Sequence, residues 1–159
     1  VEQESPEDIW TSYERGHYVV VPTNGVVKRS GEAVMGAGLA LDVARRWDWF
    51  PALLGRWITD HGSRVFVFAN NVIDDPLRVF TFPVKEDWRL PARLDLVQRS
   101  AVELRALAED LGDETEMNVG EIYLPRVGCG AGGLRWTDVR PTLRFALERS
   151  RVTFIVVHK

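Results

Sequence analysis

Five short runs dense in β-branched and aromatic residues punctuate this chain: "HYVVVPT" (17–23), "RVFVFAN" (64–70), "RVFTFPV" (78–84), "EIYLPRV" (121–127) and "VTFIVVHK" (152–159). Each is a nearly continuous apolar run, the pattern of a strand buried on both faces. Helical stretches separate them. One starts near Gly38 and carries Leu39, Val43 and Trp47 on one face. Another follows Pro51, a favourable first-turn residue, and closes near His61 at Gly62. A third places Leu94, Val97, Ala101, Leu104, Ala108 and Leu111 at three- and four-residue spacing and stops at Gly112. A fourth spans "TDVRPTLRFALERS", capped by Thr137 with Pro141 near its first turn. Asp8–Tyr13 reads as a further short strand, and the polar stretch Asp110–Gly120 as a surface loop. Strands alternating with helices imply an α/β chain, its mostly parallel sheet covered on both faces.

Length and composition bound the function. At 159 residues the chain fits one domain, 1–159, large enough to bury a real core. A net charge of −3 does not mark a bulk polyanion binder, although a local basic patch remains open. The single cysteine, Cys129, excludes an internal disulfide and leaves too few thiols for a structural zinc site. No run reaches membrane-spanning length and no signal peptide is visible, so a reducing, cytoplasmic setting is expected. The first residue is Val1 rather than methionine, which points to a processed or trimmed start.

The stretch "PTNGVVKRSGEAVMGAGLA", Pro22–Ala40, leaves a strand and enters a helix with four glycines between them: Gly25, Gly31, Gly36 and Gly38. A second glycine-rich turn, "GCGAGGL" (Gly128–Leu134), follows the strand "EIYLPRV". In such a sheet, ligands sit beyond the carboxyl ends of the strands. Glycines let backbone approach a phosphate, and free amides at a helix start point donors at it. Two such loops suit a diphosphate gripped from two sides, or are simply two tight turns. Neither carries the Gly-Lys-Ser/Thr of a phosphate-binding P-loop or the Gly-x-Gly-x-x-Gly dinucleotide fingerprint.

The order "DIW", "VVPTNG", "VMGAGLA", "FPVKEDWRLPARL", "PRVGCGAGGLRW" resembles the macrodomains, the ADP-ribose-binding modules, across nearly the whole chain. Glu7 stands where the family's Gly-Asp-Ile entry has glycine. The Phe82–Leu94 stretch is similar to the Phe-Pro-x-Lys-x-x-Trp-Arg pattern of the DNA ADP-ribosyl glycohydrolase antitoxins, relatives of the terminal ADP-ribose glycohydrolases. The resemblance implies a three-layer α/β/α fold around a mixed, mostly parallel sheet. It implies ADP-ribose as ligand or product, with no metal and no cofactor. Asp8 would accept from the adenine amino group, with the Ile9 amide facing the ring. Thr23 and Asn24 would meet the distal ribose, where an amide suits a diol. Met35, Gly36, Ala37, Gly38 and Leu39 would surround that ribose and the diphosphate. Gly128, Cys129, Gly130, Ala131, Gly132, Gly133 and Leu134 would cradle the diphosphate from the other side.

Lys85 is the catalytic candidate the resemblance implies, acting at the anomeric carbon. A neutral amine would attack that carbon; a charged one would donate a proton to the leaving group. The protein-directed terminal glycohydrolases carry an aspartate in the second loop; the corresponding place here is Gly132, and the antitoxin-like enzymes also lack that carboxylate. The implied activity is removal of mono-ADP-ribose from a nucleobase or a protein carboxylate. A non-catalytic ADP-ribose reader and an ADP-ribose 1″-phosphate phosphatase are the alternatives. The implied partners are ADP-ribosylated protein or nucleic acid, and an ADP-ribosyltransferase or toxin; no membrane is involved. Among other residues, Cys129 lies where a helix start lowers a thiol pKa, yet no motif ties His17, His61 or His158 to it as a base. Trp88 and Arg89 either contact the group beyond the ribose, such as a stacked base, or seal the following helix. Trp47, Trp49 and Trp57 read as packing residues, and Asp42 with Arg45 and Arg46 as a solvated helical face.

Overall fold

The apolar runs do pair into one sheet. In the computed structural model, residues 3–69, 77–114 and 120–158 are described. The elements are β1 (Gln3–Ser5), α1 (Ile9–Glu14), β2 (Tyr18–Thr23), α2 (Gly38–Arg46), α3 (Phe50–His61), β3 (Val67–Phe68), β4 (Val79–Pro83), α4 (Leu94–Glu114), β5 (Glu121–Leu124), α5 (Trp136–Leu147) and β6 (Thr153–Val157). The strand order is β1-β6-β5-β2-β4-β3, parallel throughout except for the antiparallel β3–β4 pair.

Strands β2 to β6 divide their side chains between two cores, as period-two geometry requires. Val20, Phe80, Phe82, Ile122, Leu124, Phe154 and Val156 face α4 and α5, which supply Val97, Ala101, Leu104, Val139 and Leu143. Val19, Val21, Val79, Tyr123, Ile155 and Val157 face α1, α2 and α3, which supply Ile9, Val43, Phe50, Leu54 and Ile58. Phe50, Phe68, Phe80 and Phe82 are fully buried, each contributing roughly 1.5–3 kcal/mol of apolar burial.

Several local expectations are corrected. Asp8–Tyr13 is helical, not extended: the Asp8 carboxylate accepts from the Trp10 amide at 2.8 Å and caps α1. The strand expected over 64–70 shrinks to Val67–Phe68; Asn70 lies outside the described residues. Gly112 does not end α4, which continues to Glu114, so the expected loop starts later; residues 115–119 lie outside the described residues. Leu94 is exposed rather than on the apolar face of α4. At α5 the N-cap is Arg135 with no side-chain cap, and Thr137 sits inside the helix. Strand β1, too short to leave a hydrophobic pattern, pairs with β6 at the edge. Asp42 and Arg46 are not merely solvated. Asp42 accepts from the Trp10 indole at 3.1 Å, and the Arg46 guanidinium lies 4.0 Å from the centre of the Trp10 ring.

Candidate active site

Strand β2 is the switch point of the parallel order β5-β2-β4: β3 and β4 are added on one side of it, β5 and β6 on the other, and that is where the sheet opens. β2 pairs with β4 from Val19 to Thr23, but with β5 only at Tyr18 and Val19. Beyond Val19 the carboxyl ends of β2 and β5 part. Pro22 has no N–H to offer a ladder on that side, and its place in a central strand is tolerated because no ladder continues there. A cleft of about 670 Å³ lies in the gap, reached by Thr23 and Asn24 after β2, Lys85 after β4, and Arg126 and Gly128 after β5.

The first glycine loop is more constrained than its composition suggests. Asn24 braces it: its side-chain amide donates to the Val34 carbonyl at 3.1 Å, and its oxygen accepts from the Val26 amide at 2.9 Å. One N–H and one lone pair remain for a ligand. Asn24 is not left-handed, since no described non-glycine residue has positive φ. Gly36, Ala37 and Gly38 are exposed along one wall of the cleft. Gly38, at φ +57°, starts α2, whose N-cap Ala37 provides no side-chain cap. The first amides of α2 therefore face the cleft without an internal partner, the arrangement that attracts an anion.

The second loop forms the opposite wall. It closes on itself through Leu134 N–H to Gly128 O at 2.9 Å and Gly133 N–H to Gly130 O at 3.1 Å. Gly128 and Gly133 have φ of +75° and +78°. The amides of Gly130 and Ala131 take no part in those bonds, and both residues are exposed to the cleft. Gly132 has no room for a side chain: a Cβ there would lie 2.6 Å from the Gly128 oxygen and 2.7 Å from the Ala92 Cβ. A carboxylate is thus not just missing from this position but sterically shut out of it.

Lys85 lies two residues past the end of β4, half-buried, on backbone held from three sides. Val84 N–H donates to Thr23 O at 3.0 Å, Gly25 N–H to Glu86 O at 3.0 Å, and Arg93 N–H to Val84 O at 2.9 Å. The buried Ser100 hydroxyl adds a 2.6 Å bond to Pro83 O from α4. The Lys85 ammonium has no ion pair or side-chain hydrogen bond among the described residues. Trp88, exposed to solvent, lines the same cleft.

A second hollow of about 460 Å³ continues the cleft, sharing Gly38, Leu39 and Pro125 with it and reaching Asp8, Ile9 and Asp42. The two hollows together bring most of the expected residues to one elongated depression: Asp8, Ile9, Thr23, Asn24, Gly36, Ala37, Gly38, Leu39, Lys85, Gly128, Gly130, Ala131 and Gly132. Met35 is buried in the core beneath. Cys129 and Leu134 line a neighbouring hollow on the outer side of the second loop, and Gly133 lines neither part of the depression.

No protein-family profile matches the chain. Over 141 residues it is 30% identical to a DNA ADP-ribosyl glycohydrolase of Thermus aquaticus, an alignment covering 84% of this chain and 37% of that protein. The chain thus spans little more than a third of that curated relative. The macrodomain of Thermus aquaticus DarG superimposes with a TM-score of 0.78 at 25% identity, covering 99% of this chain and 97% of that one. This chain belongs to the macrodomain family. It falls in the DarG-like subgroup. The fold is shared also with Thermosipho africanus DarTG, solved in complex with ADP-ribose, at a TM-score of 0.76 and 19% identity, over 100% of this chain and 42% of that one.

Sequence reasoning passed over one prominent wall of this macrodomain's cleft. Arg126, exposed just past β5, lines it; the only signal was its place between a strand end and a glycine turn. The second-loop thiol does not resemble a nucleophile. Burial pushes the Cys129 thiol pKa up despite the nearby Arg126, and its Sγ–H donates to the Val127 carbonyl at 3.5 Å. Among the described residues no cluster of three or more histidine, cysteine or carboxylate side chains could hold a metal ion. No described helix is long and apolar enough to cross a membrane.

Proposed function

We propose that this macrodomain hydrolyses the bond between the distal ribose of ADP-ribose and a DNA base, with Lys85 acting at the anomeric carbon. The observation that carries the reading is the chemistry of the lining. Lys85 and Arg126 are the only charged side chains among the described residues of the main cleft, and no carboxylate is among them. The absence of a carboxylate pair from that lining supports Lys85 as the group that handles a proton or attacks carbon. The curated relatives, named DNA ADP-ribosyl glycohydrolases, support the same substrate class.

In this reading Asp8 and Ile9 take the adenine in the second hollow. The amides at the start of α2 and those of Gly130 and Ala131 hold the diphosphate. The free N–H and lone pair of Asn24 meet the distal ribose beside Thr23. The bond from C1″ to the base nitrogen breaks, its electron pair leaves with the base, and the base gains a proton. Water oxygen completes C1″ and gives up a proton, so the products are free ADP-ribose and the intact base. A charged Lys85 supplies the departing base with its proton; a neutral Lys85 instead displaces the base and is then released by water. In the second case the amine-linked C1″ can open its ring, the C1″–O4″ bond breaking and the amine proton passing to O4″. The resulting imine is reduced by borohydride to a stable adduct; the first case gives none. The counterpart of this activity is an enzyme that attaches ADP-ribose to DNA.

The test is release of ADP-ribose from an oligonucleotide modified on a base and from a peptide modified on glutamate, by wild type and Lys85→Ala. The reading expects release from the oligonucleotide, lost in the variant while free ADP-ribose still binds. Release from the peptide alone moves the substrate to protein. No release from either, with binding intact, makes the domain an ADP-ribose reader, and phosphate release from ADP-ribose 1″-phosphate would make it a phosphatase.

A further inference from the structure

Trp88 has no counterpart among the other tryptophans. Trp10, Trp47, Trp49 and Trp57 all pack against aromatic neighbours and the core beneath α1–α3, and Trp136 packs against the opposite core. Trp88 is 55% exposed, as is Leu90 two residues on. An indole left in water forgoes the large apolar burial that this side chain normally contributes. Its position gives the reason: it lines the cleft on the segment that carries Lys85.

The turn holding it is built to stay put. Asp87 accepts from the Arg89 amide at 2.9 Å, from Arg89 Nε at 2.9 Å and from its terminal nitrogen at 2.6 Å. The Leu90 amide donates to the Asp87 carbonyl at 3.0 Å. Arg89, fixed by that fork, sits 5.6 Å from the centre of the Trp88 ring. No other described aromatic ring pairs with Trp88.

We infer that Trp88 is a stacking platform for the nucleobase joined to the distal ribose, held in place by the Asp87–Arg89 fork. The inference rests on the proposed hydrolysis of a DNA adduct. Trp88 is the one aromatic ring among the described residues lining the cleft that holds Lys85, and so the π surface that cleft offers to a base bonded to C1″. Stacking is tolerant of base identity, because every base has a π face. It suits a single-stranded or unpaired base rather than a duplex, whose base faces are already occupied. Binding at this platform needs few contacts, consistent with the chain's net charge of −3.

The test measures binding in the Lys85→Ala background, so that nothing is consumed. Trp88→Ala and Trp88→Phe are compared on three probes: an ADP-ribosylated single-stranded oligonucleotide, an ADP-ribosylated glutamate peptide and free ADP-ribose. Replacing a stacking aromatic with alanine is expected to weaken the oligonucleotide by about 5- to 150-fold, leaving the other two within about 2-fold. Phenylalanine should recover most of the loss. An unchanged oligonucleotide affinity overturns the inference. So does an equal loss on free ADP-ribose or on the peptide, which would make Trp88 part of the ribose pocket or a general lid. Failure of the wild type to release ADP-ribose from the same oligonucleotide would sink the hydrolase reading separately, since the binding comparison needs no turnover.

Discussion

The Gly25 amide donates to the Glu86 carbonyl at 3.0 Å, fastening the first glycine loop to the segment that carries Lys85. The contact is close enough that a side chain at Gly25 would intrude: its Cβ would lie 3.1 Å from that carbonyl oxygen and 3.2 Å from the Ser63 Cβ. Gly25→Ala is therefore expected to push the Lys85 segment outward by a few tenths of an ångström. Small misplacements at a reacting centre are amplified in rate, so release should fall about tenfold or more while ADP-ribose affinity changes little. Single-turnover kinetics beside calorimetric binding would check it. Equal losses in both would show that the bond supports binding rather than chemistry.

Gly132→Asp restores the carboxylate that protein-directed relatives are expected to carry in the second loop. It should not confer their chemistry. The added Cβ would collide with the Gly128 oxygen and Ala92, at a cost of about 1–3 kcal/mol of stability, as for overpacking generally. Urea denaturation should report that loss, and binding should weaken as the loop deforms. Faster release from a glutamate-linked substrate, with stability unchanged, would contradict this.

Gly55 lies in α3 where the first loop crosses it. A Cβ would sit 2.0 Å from the Gly31 carbonyl oxygen and 2.8 Å from the Ala33 nitrogen, which itself donates to Pro51 O at 2.8 Å. Gly55→Ala should thus destabilise the fold by about 2–3 kcal/mol, although alanine is the better helix former by about 1 kcal/mol. The reversal of sign is the diagnostic result, and a denaturation midpoint higher than wild type would refute the packing argument.

Cys129 should be a slow thiol. Burial raises its pKa above the ordinary thiol value, so less thiolate is present at neutral pH than in a free cysteine. Alkylation at pH 7 should be slower than that of a model thiol and accelerate as pH rises past the ordinary value. Cys129→Ser should leave ADP-ribose release nearly unchanged. Rapid alkylation blocked by ADP-ribose would instead place the thiol in the working site.

The Asp87–Arg89 fork makes an acid-side prediction. The guanidinium holds the Asp87 carboxyl well down, to about 2. A depressed carboxylate contributes above its unfolded value and loses that contribution as pH falls through the folded one. The turn carrying Trp88 should therefore stay ordered through mildly acidic pH and loosen only as pH falls from about 4 toward 2. Amide chemical shifts of Arg89 and Leu90 across that range would show it. A transition near pH 6 would mean another group governs the turn.

The sheet and four of its helices were legible because their apolar periodicity is strong, as in β2, β4 and the Val97–Ala108 face of α4. The short edge elements were less so. β1 has three residues, too few for a pattern, and is defined by pairing with β6; the strand read over 64–70 is present, but only Val67 and Phe68 pair with β4. Asp8–Tyr13 looked extended because its aromatic residues suit a strand, but the Asp8 cap and the packing of Trp10 against Trp47 settle it as a helix. The two glycine loops were legible as junctions, yet their individual glycines do different jobs. Gly25 and Gly132 are tight packing positions, while Gly36 and Gly130 are open. Arg126 gave no sequence pattern, since its place on the cleft wall follows from the parting of β2 and β5.

The uncapped start of α2 has a thermodynamic side. Amides left without partners are stability withheld from the empty domain, and an anion that takes them returns it. The gain follows the ligand's concentration: occupancy at a hundredfold excess over the dissociation constant adds about 2.7 kcal/mol. For a protein of ordinary marginal stability that is a substantial share of the whole. The lifetime of this domain against unfolding and proteolysis is then set in part by how much nucleotide surrounds it, so that the supply of its own ligand governs how much of the protein persists.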